Sequence, residues 1–221
     1  MHPLRGLLAL LRWRRTPEDG EALAAVGECL DGPFFEAWFR RFQATRVGRR
    51  VLLERRDLLS LLTDRWWLSG LPPGSLGRAY LEYAGRDEPT APGHGNSAPA
   101  SGPEGPQDRT RFAQRLADQH DLVHVVAGYG REPGGEVSVL AFEAGQMPSP
   151  ANFLVALVAS AGLGVDRLPI LWRAFLRGRR AAWLPAADWE ALLEMPLTEA
   201  RALLGMAAPL PPDPGRRERA A

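Results

Sequence analysis

Two histidines and two carboxylates form the cluster in this sequence that is best suited to chemistry. His120, Asp121 and His124 lie within five consecutive residues, HDLVH, and Glu136 follows after eleven more. On a helix, His120 and His124 are stacked at the i, i+4 separation, so both imidazoles can reach one metal ion. Asp121 lies about 100° around the helix from His120 and can supply a carboxylate oxygen to the same ion.

A glycine-rich segment at residues 128–135 is expected to reverse the chain and bring Glu136 alongside the histidines. Two imidazole nitrogens and two carboxylate oxygens suit Zn²⁺, and also Mn²⁺ or Fe²⁺, with a position left for water or substrate. The sequence therefore predicts that His120, Asp121, His124 and Glu136 bind one divalent metal. A histidine pair on a helix surface without any ligand is the competing interpretation.

Several other chemistries are excluded by what the chain lacks. All 27 basic residues are arginines, so Schiff-base catalysis and a P-loop lysine are ruled out. The single cysteine, Cys29, excludes internal disulfides and cysteine-built zinc ribbons. The motifs HExxH, GxSxG and GxGxxG are absent. A formal net charge of +1, without a basic stripe carrying interleaved aromatic residues, predicts no binding to nucleic acid.

The elements that must position this cluster are predicted to be helices, because leucine and alanine are abundant and β-branched residues are scarce. Residues 136–143, EVSVLAFE, alternate as a strand would, but the helical context favours a helix there. Residues 151–164 are so apolar that this helix is expected to be buried. Apolar periodicity predicts a helix at residues 109–124, which carries the metal-ligand motif. It predicts three further helices at residues 151–164, 168–176 and 188–204.

The N-terminal part of the chain shows the same helical periodicity. Thr16 followed by Pro17 is typical of a helix N-terminus, with the threonine as cap and the proline in the first position. Residues 72–74, PPG, mark a turn before a further short helix. An apolar stripe on the first helix is formed by Leu4, Leu7, Leu8 and Leu11.

Composition predicts one folded unit with a disordered linker and a disordered tail. Residues 86–108, RDEPTAPGHGNSAPASGPEGPQD, are dense in proline, glycine, serine and alanine and lack large apolar side chains. Residues 209–221 have a similar character. We therefore expect an all-α fold, a single multi-helix bundle at residues 1–208 with an internal linker at about 86–108. The apolar run at residues 151–165 is shorter than the ~20 residues of a spanning helix, so a cytoplasmic protein is expected.

The metal-ligand motif and three flanking blocks resemble the coenzyme Q (ubiquinone) biosynthesis protein four family. The motif is HDxxH, eleven residues and a glutamate, here His120, Asp121, His124 and Glu136. Three ordered blocks extend the match, and together they span most of the folded chain: residues 48–55 (GRRVLLER), 71–80 (LPPGSLGRAY) and 135–146 (GEVSVLAFEAGQ).

The resemblance implies an all-helical enzyme that uses these four residues to hold a divalent metal, taken to be zinc, at a catalytic site. The implied reaction is removal of the C1 ring carboxyl from polyprenylated hydroxybenzoate precursors of ubiquinone, a carbon-carbon lyase step that can be oxidative. The implied partners are the prenylated aromatic substrate, other ubiquinone-biosynthesis enzymes, the surface of the inner membrane and a second copy of the chain. The first-helix stripe, with nearby arginines, is a candidate membrane contact.

A non-catalytic function is the alternative. In this hypothesis the chain is a prenyl-lipid-binding scaffold that organises the other enzymes and keeps the metal site for structure. The intact ligand motif favours the enzyme. Departures from the family pattern near the motif, at Ala117 and Leu140, remove none of the four ligands but alter the surroundings of the substrate. In either case residues 151–165, with Phe153 and Leu157, are the candidate groove for the prenyl chain.

Overall fold

The computed structural model describes residues 3–15, 20–85, 107–163 and 168–206, and the regular elements in these ranges are all helical. The predicted all-α fold is thereby confirmed. A short 3₁₀ turn at Leu184–Ala186 precedes the last two helices. The helices are α1 (Pro3–Arg15), α2 (Gly20–Ala44), α3 (Arg46–Glu54), α4 (Leu58–Thr63), α5 (Arg65–Gly70), α6 (Leu76–Ala84), α7 (Gln107–Asp118), α8 (His120–Ala127), α9 (Pro133–Gln146), α10 (Pro150–Leu163), α11 (Leu168–Arg180), α12 (Trp189–Leu192) and α13 (Leu197–Leu203).

Short polar side chains start the helices of the N-terminal half. The side chains of Thr45, Asp57, Asp64 and Ser75 each accept a hydrogen bond from a backbone N–H in the first turn of α3, α4, α5 and α6, respectively. Each such cap satisfies a donor that the helix itself leaves open, and is typically worth ~1 kcal/mol. The turn predicted at residues 72–74 is confirmed, since it leads directly into the Ser75 cap of α6.

Helix α9 is the central element, with α10 and α11 packed along it. Gly145 of α9 and Gly178 of α11 lie at the α9–α11 contact, where an added Cβ would collide with Phe175 O and Phe142 O, respectively. Gln146 locks the same contact, because its amide donates to Gly178 O and its carbonyl accepts from Leu184 N at 2.7 Å. This close approach holds α9 in a single register.

The largest hydrophobic core joins the helices that precede the linker to those that follow it. Leu68 and Leu76 from the N-terminal half belong to one buried cluster with Leu122 and Val126 of α8. Trp189 of α12 is buried in the same cluster. A second cluster, built around Phe42 and Phe112, joins α2, α3 and α7. The metal-ligand motif therefore lies on a helix, α8, that is packed inside the main core.

Several boundaries differ from the sequence predictions. The single helix predicted at residues 109–124 is wrong, because the chain breaks at Gln119 into α7 and α8. The helix predicted at residues 188–204 is also divided, since Pro196 separates α12 from α13. Helix α7 starts at Gln107, inside the predicted linker. The rest of that linker, the tail at residues 209–221 and the Thr16–Pro17 cap lie outside the described residues.

Two apolar helices expose part of their surface. On α10, Ala151 and Val155 are buried, but Phe153 is 58% exposed, so the prediction of a buried helix holds for only part of its surface. On α1, Leu8 and Leu11 of the predicted stripe are 66% and 47% exposed. Among the helices within the described ranges, none combines the length and apolar character needed to cross a membrane.

Candidate metal centre

Helix α8 carries both histidines one turn apart and holds them inside the protein. His120 is its first residue, and the ring centroids of His120 and His124 lie 5.0 Å apart. Both side chains are buried, so they do not form a surface pair. The break before His120 is held by Gln119, whose side-chain carbonyl accepts a hydrogen bond from Trp189 Nε1 at 2.9 Å.

The reversal between α8 and α9 brings Glu136 back to the two imidazoles, as the glycine-rich segment predicted. Gly128 ends α8 with a φ of 75°, a left-handed conformation that suits glycine. Glu136 then lies in the first turn of α9. Its Oε2 atom is 3.4 Å from His124 Nε2 and 3.6 Å from His120 Nε2.

The backbone of this reversal sets the tautomer of His124. Its Nδ1 atom lies 3.3 Å from Tyr129 O and 3.1 Å from Gly130 O. Carbonyl oxygens only accept hydrogen bonds, so Nδ1 carries the ring proton and Nε2 carries a lone pair. Gly135 packs against Gly130 so closely that a Cβ atom would collide with Gly130 O, and the carbonyls are held in place by this contact.

A buried carboxylate sets the tautomer of His120. Glu143 lies two turns after Glu136 on α9, and its Oε1 is 3.0 Å from His120 Nδ1. In the neutral His120 ring, a proton on Nδ1 again leaves a lone pair on Nε2. In the described part of the chain neither His120 Nε2 nor His124 Nε2 has a hydrogen-bond partner, although both atoms are buried.

Three ligand atoms therefore converge. The donor atoms of His120, His124 and Glu136 all lie within 4.8 Å of one another. When both rings are neutral, the lone pairs on the two Nε2 atoms and the carboxylate repel one another at such distances. A cation between them stabilises all three groups. Two imidazole nitrogens and a carboxylate oxygen are a donor set typical of a catalytic zinc site, so the residues present fit a divalent metal.

The electrostatics of the group point in the same direction. Burial lowers the pKa of His120, but the carboxylates of Glu143 and Glu136 outweigh burial and raise it to about 10. Burial raises the pKa of Glu136, but His120 and His124 outweigh burial and hold it well below its usual range. The pocket thus favours a positive charge at the point where the three donor atoms meet.

Asp121, the fourth predicted ligand, is not a member of this group of three. Its side chain lies on the flank of α8 that faces two tyrosines of α6. Burial and the charge of Asp121 raise the pKa of Tyr80 to about 12, and burial and the same charge also raise the pKa of Tyr83. Asp121 is therefore next to the group, whereas His120, His124 and Glu136 form it.

Sequence reasoning missed Glu143 and two residues near His124, which are Tyr83 and Arg131. Glu143 follows Glu136 by seven residues, two helical turns, a spacing that could have revealed it once α9 was taken as a helix. The ring of Tyr83 is 5.4 Å from the ring of His124. Arg131 lies over the Tyr83 ring at 4.6 Å.

An apolar groove of about 290 Å³ lies between α10 and α11, on the opposite flank of α9. Phe153 and Leu157, two of the predicted groove residues, are among those that line it. Both are well exposed, as is Trp172, whose ring stacks on Phe175 at 5.3 Å. The lining is wholly apolar and consists of Ala141, Phe153, Ala156, Leu157, Leu168, Leu171, Trp172 and Phe175.

Known proteins are similar in sequence to most of this chain. The chain is 29% identical to ubiquinone biosynthesis protein coq-4, mitochondrial, from Caenorhabditis elegans, over 83% of this chain and 80% of that protein. It is 32% identical to the mitochondrial ubiquinone biosynthesis protein COQ4 homolog of Rattus norvegicus, over 73% of this chain and 62% of that protein.

The fold also matches a solved structure. A crystal structure from Nostoc punctiforme, of a protein to which a role in ubiquinone biosynthesis is ascribed, superposes with a TM-score of 0.66 at 20% identity. The match covers 94% of this chain and 100% of that one. The sequence model of the family described as coenzyme Q (ubiquinone) biosynthesis protein Coq4 matches residues 7–210, which include the motif, Glu143 and the groove. The chain belongs to this ubiquinone-biosynthesis family.

Proposed function

We propose that this protein is a metal-dependent decarboxylase that removes the C1 carboxyl group from polyprenylated hydroxybenzoate precursors of ubiquinone. The single observation that carries the proposal is the convergence of Glu136 Oε2 on two buried nitrogens, His120 Nε2 and His124 Nε2, that have no hydrogen-bond partner in the described structure. Membership of a ubiquinone-biosynthesis family supports the class of substrate. The donor set supports zinc, although another divalent metal of similar ligand preference would also be bound.

His120, His124 and Glu136 would hold the metal, and Asp121, from the same motif, is the candidate for a fourth ligand. When bound, the metal would supply a Lewis acid that binds a carboxylate or phenolic oxygen and stabilises developing negative charge. Glu143 and the backbone carbonyls of the α8–α9 reversal accept hydrogen bonds from Nδ1 of the two imidazoles, so Nε2 of each ring would face the metal. These groups are in place before any substrate arrives, which reduces reorganisation during the reaction.

Tyr83 and Arg131 are placed to bind the aromatic acid beside this site. The pKa of Tyr83 is raised by burial and by the charges of Asp121 and Glu136, so its hydroxyl stays protonated at neutral pH and can donate a hydrogen bond. The Arg131 guanidinium lies over the ring of Tyr83 and Arg131 is exposed, which suits a contact with an anionic ring substituent. In the non-oxidative net reaction the carboxyl leaves as CO₂, and the ring carbon keeps the electron pair of the broken bond and takes a proton. In the oxidative one, an oxygen atom of dioxygen takes the place of the carboxyl, and the second oxygen atom is reduced to water by an external two-electron donor.

The apolar groove on α10 and α11 suits the long prenyl chain of such a substrate. Its exposed side chains would also contact the bilayer in which a prenylated molecule resides. Leu8 and Leu11 of α1 extend this apolar character, and Arg5 beside them is exposed and can approach anionic headgroups. We therefore propose peripheral attachment to the membrane in which ubiquinone is made.

A scaffold that binds a prenyl lipid without catalysis is the second candidate. The observation that favours it is the number of exposed apolar side chains on α1, α10 and α11, including Leu8, Phe153 and Trp172. Such a surface suits a lipid or another enzyme of the same biosynthesis. A scaffold would still bind lipid after loss of the metal ligands, whereas the enzyme would lose its reaction.

The decisive experiment measures CO₂ release from a prenylated 4-hydroxybenzoate labelled at the carboxyl carbon. Zinc-loaded protein should release labelled CO₂, and His124→Ala should reduce the rate at least a hundredfold. Parallel reactions with and without dioxygen distinguish an oxidative from a non-oxidative step. If wild type and His124→Ala bind the prenylated acid equally and neither releases CO₂, the scaffold is the correct function.

A further inference from the structure

Helix α9 contacts both nitrogens of the same imidazole ring. Glu136, in its first turn, points an oxygen at His120 Nε2 from 3.6 Å, and Glu143, two turns later, holds Nδ1 at 3.0 Å. The two glutamates share one face of α9, separated by about 10 Å along the helix axis. One nitrogen of His120 therefore faces the metal-binding group while the opposite nitrogen is held by a carboxylate.

We infer that Glu143 is a positioning residue for the metal site. Its carboxylate accepts a hydrogen bond from the Nδ1–H group of His120. This bond favours the tautomer with the lone pair on Nε2 and fixes the plane of the ring. It also makes the imidazole a more basic ligand, since a hydrogen bond from Nδ1–H to a carboxylate increases the electron density on Nε2. The inference rests on the proposed metal site, but it concerns affinity for the metal and not the reaction that follows.

The two histidines are oriented by different devices, which isolates the contribution of Glu143. His124 Nδ1 is held by the carbonyls of Tyr129 and Gly130, and a side-chain substitution leaves these backbone atoms in place. In the described structure the partner of His120 Nδ1 is a side chain, which substitution can remove. The asymmetry predicts that changes at Glu143 act on His120 alone.

Burial gives the Glu143 contact its strength. The side chains of His120 and Glu143 are 3% and 11% exposed, so their hydrogen bond is shielded from water. A hydrogen bond to a carboxylate in such surroundings is shorter and stronger than a neutral one. A purely structural function is the competing explanation, because a buried acid can also fasten α9 to α8.

The test compares Glu143→Gln and Glu143→Ala with wild type by competition for zinc against a chelator of known affinity. Gln keeps an acceptor but not the charge, and Ala removes both. We expect about tenfold weaker zinc binding for Gln and about a hundredfold for Ala, which is the range for such partners. Glu194→Gln, the same change at an exposed carboxylate between α12 and α13, should bind zinc as wild type does.

A second readout separates positioning from packing. Long-range ¹H–¹⁵N correlation spectra of the zinc-loaded proteins report the tautomer of each ring, and the chain has only four histidines to assign. Zinc on Nε2 leaves the ring proton on Nδ1 in every zinc-loaded protein. In wild type the Glu143 carboxylate should shift the Nδ1–H resonance of His120 downfield, and Glu143→Ala should lose this shift while the His124 resonance stays unchanged. Thermal unfolding of the metal-free proteins measures any loss of packing.

Each outcome decides the inference. Equal zinc affinity in all four proteins would overturn it, as would a loss of affinity with the His120 Nδ1–H resonance unchanged. Absence of zinc binding by wild type would overturn it together with the metal site. If wild type binds zinc and the Glu143 variants lose it as expected, while labelled CO₂ is never released, Glu143 positions the ligand and the proposed reaction is wrong.

Discussion

Arg115 of α7 and Glu190 of α12 form a bidentate ion pair across 75 positions of sequence, with N–O distances of 2.8 and 3.0 Å. The side chains are only 3% and 11% exposed. Arg115 also donates to Ala187 O at 3.0 Å. This pair and the Trp189–Gln119 hydrogen bond anchor the C-terminal segment to the helix junction immediately before His120.

Glu190→Gln should therefore be strongly destabilising at neutral pH, by about 3 kcal/mol, because it leaves a buried guanidinium without its charge partner. Burial raises the pKa of Glu190, but Arg115 outweighs burial and holds it below the usual 4.5. The unfolded state thus binds the proton more tightly, and the stabilisation is present above about pH 4.5 and lost as the pH falls.

Denaturant unfolding of wild type and Glu190→Gln at pH 7 and at pH 3 checks this prediction. The difference between the two proteins should shrink at the lower pH, and a constant difference would contradict the assignment. Glu36→Gln is the matched control, since Glu36 forms the same bidentate pair with Arg109 at an exposed position. Its effect on stability should be much smaller.

The metal ligands should separate into two groups on substitution. Alanine at His120, His124 or Glu136 removes one of the three converging atoms and should abolish the single equivalent of bound metal. Asp121→Asn should retain the metal with weaker affinity, because Asp121 lies beside the group and not in it. Metal analysis of the purified proteins after dialysis measures this. Equal metal content in all five proteins would show that the convergence binds none.

Membrane attachment should depend on the exposed side of α1. The double variant Leu8→Ser, Leu11→Ser should reduce flotation with anionic vesicles about tenfold or more, because each leucine contributes ~1.5 kcal/mol when it enters an apolar phase. Leu10, which is 4% exposed, stays in the core, so the fold is preserved. Leu203→Ser, at a leucine of α13 that is 65% exposed, is the control and should float as wild type does.

The groove should discriminate between substrates by the length of the prenyl chain. Leu168→Glu places a charge at its partly exposed rim, and burying that charge against a prenyl chain is unfavourable. KM should rise about tenfold or more for a long-chain substrate and little for a short-chain one. Leu203→Glu, away from the groove lining, should leave both values unchanged. Equal changes for the two chain lengths would place the prenyl chain elsewhere.

The α9–α11 contact should tolerate no side chain at Gly178. Gly178→Ala places a Cβ atom against Phe142 O and should lower the free energy of unfolding by about 2 kcal/mol. Gly70→Ala makes the same change at the last residue of α5, where a Cβ would meet nothing within 4 Å, and should stabilise the protein slightly. Chemical denaturation of the two variants measures the contrast, and equal effects would contradict the close approach.

The local part of the metal site could be predicted from the sequence. The separation of His120 from His124 follows from helical geometry alone, and a glycine-rich reversal is sufficient to return Glu136 to them. Glu143 was within reach of the same reasoning, because seven residues on a helix place it on the face of Glu136. These relations involve neighbours in the chain, and helix periodicity is enough to determine them.

The remaining features depend on contacts between distant parts of the chain. No glycine or proline marks the break at Gln119, and its amide is held by Trp189, seventy positions away. The exposure of Phe153 on an apolar helix is decided by which face α9 covers. By itself the sequence determined an all-helical chain with a histidine–carboxylate ligand motif. Only the tertiary structure decided that Asp121 lies beside the group, that Glu143 holds His120 and where the groove lies, because burial and long-range packing set these distances.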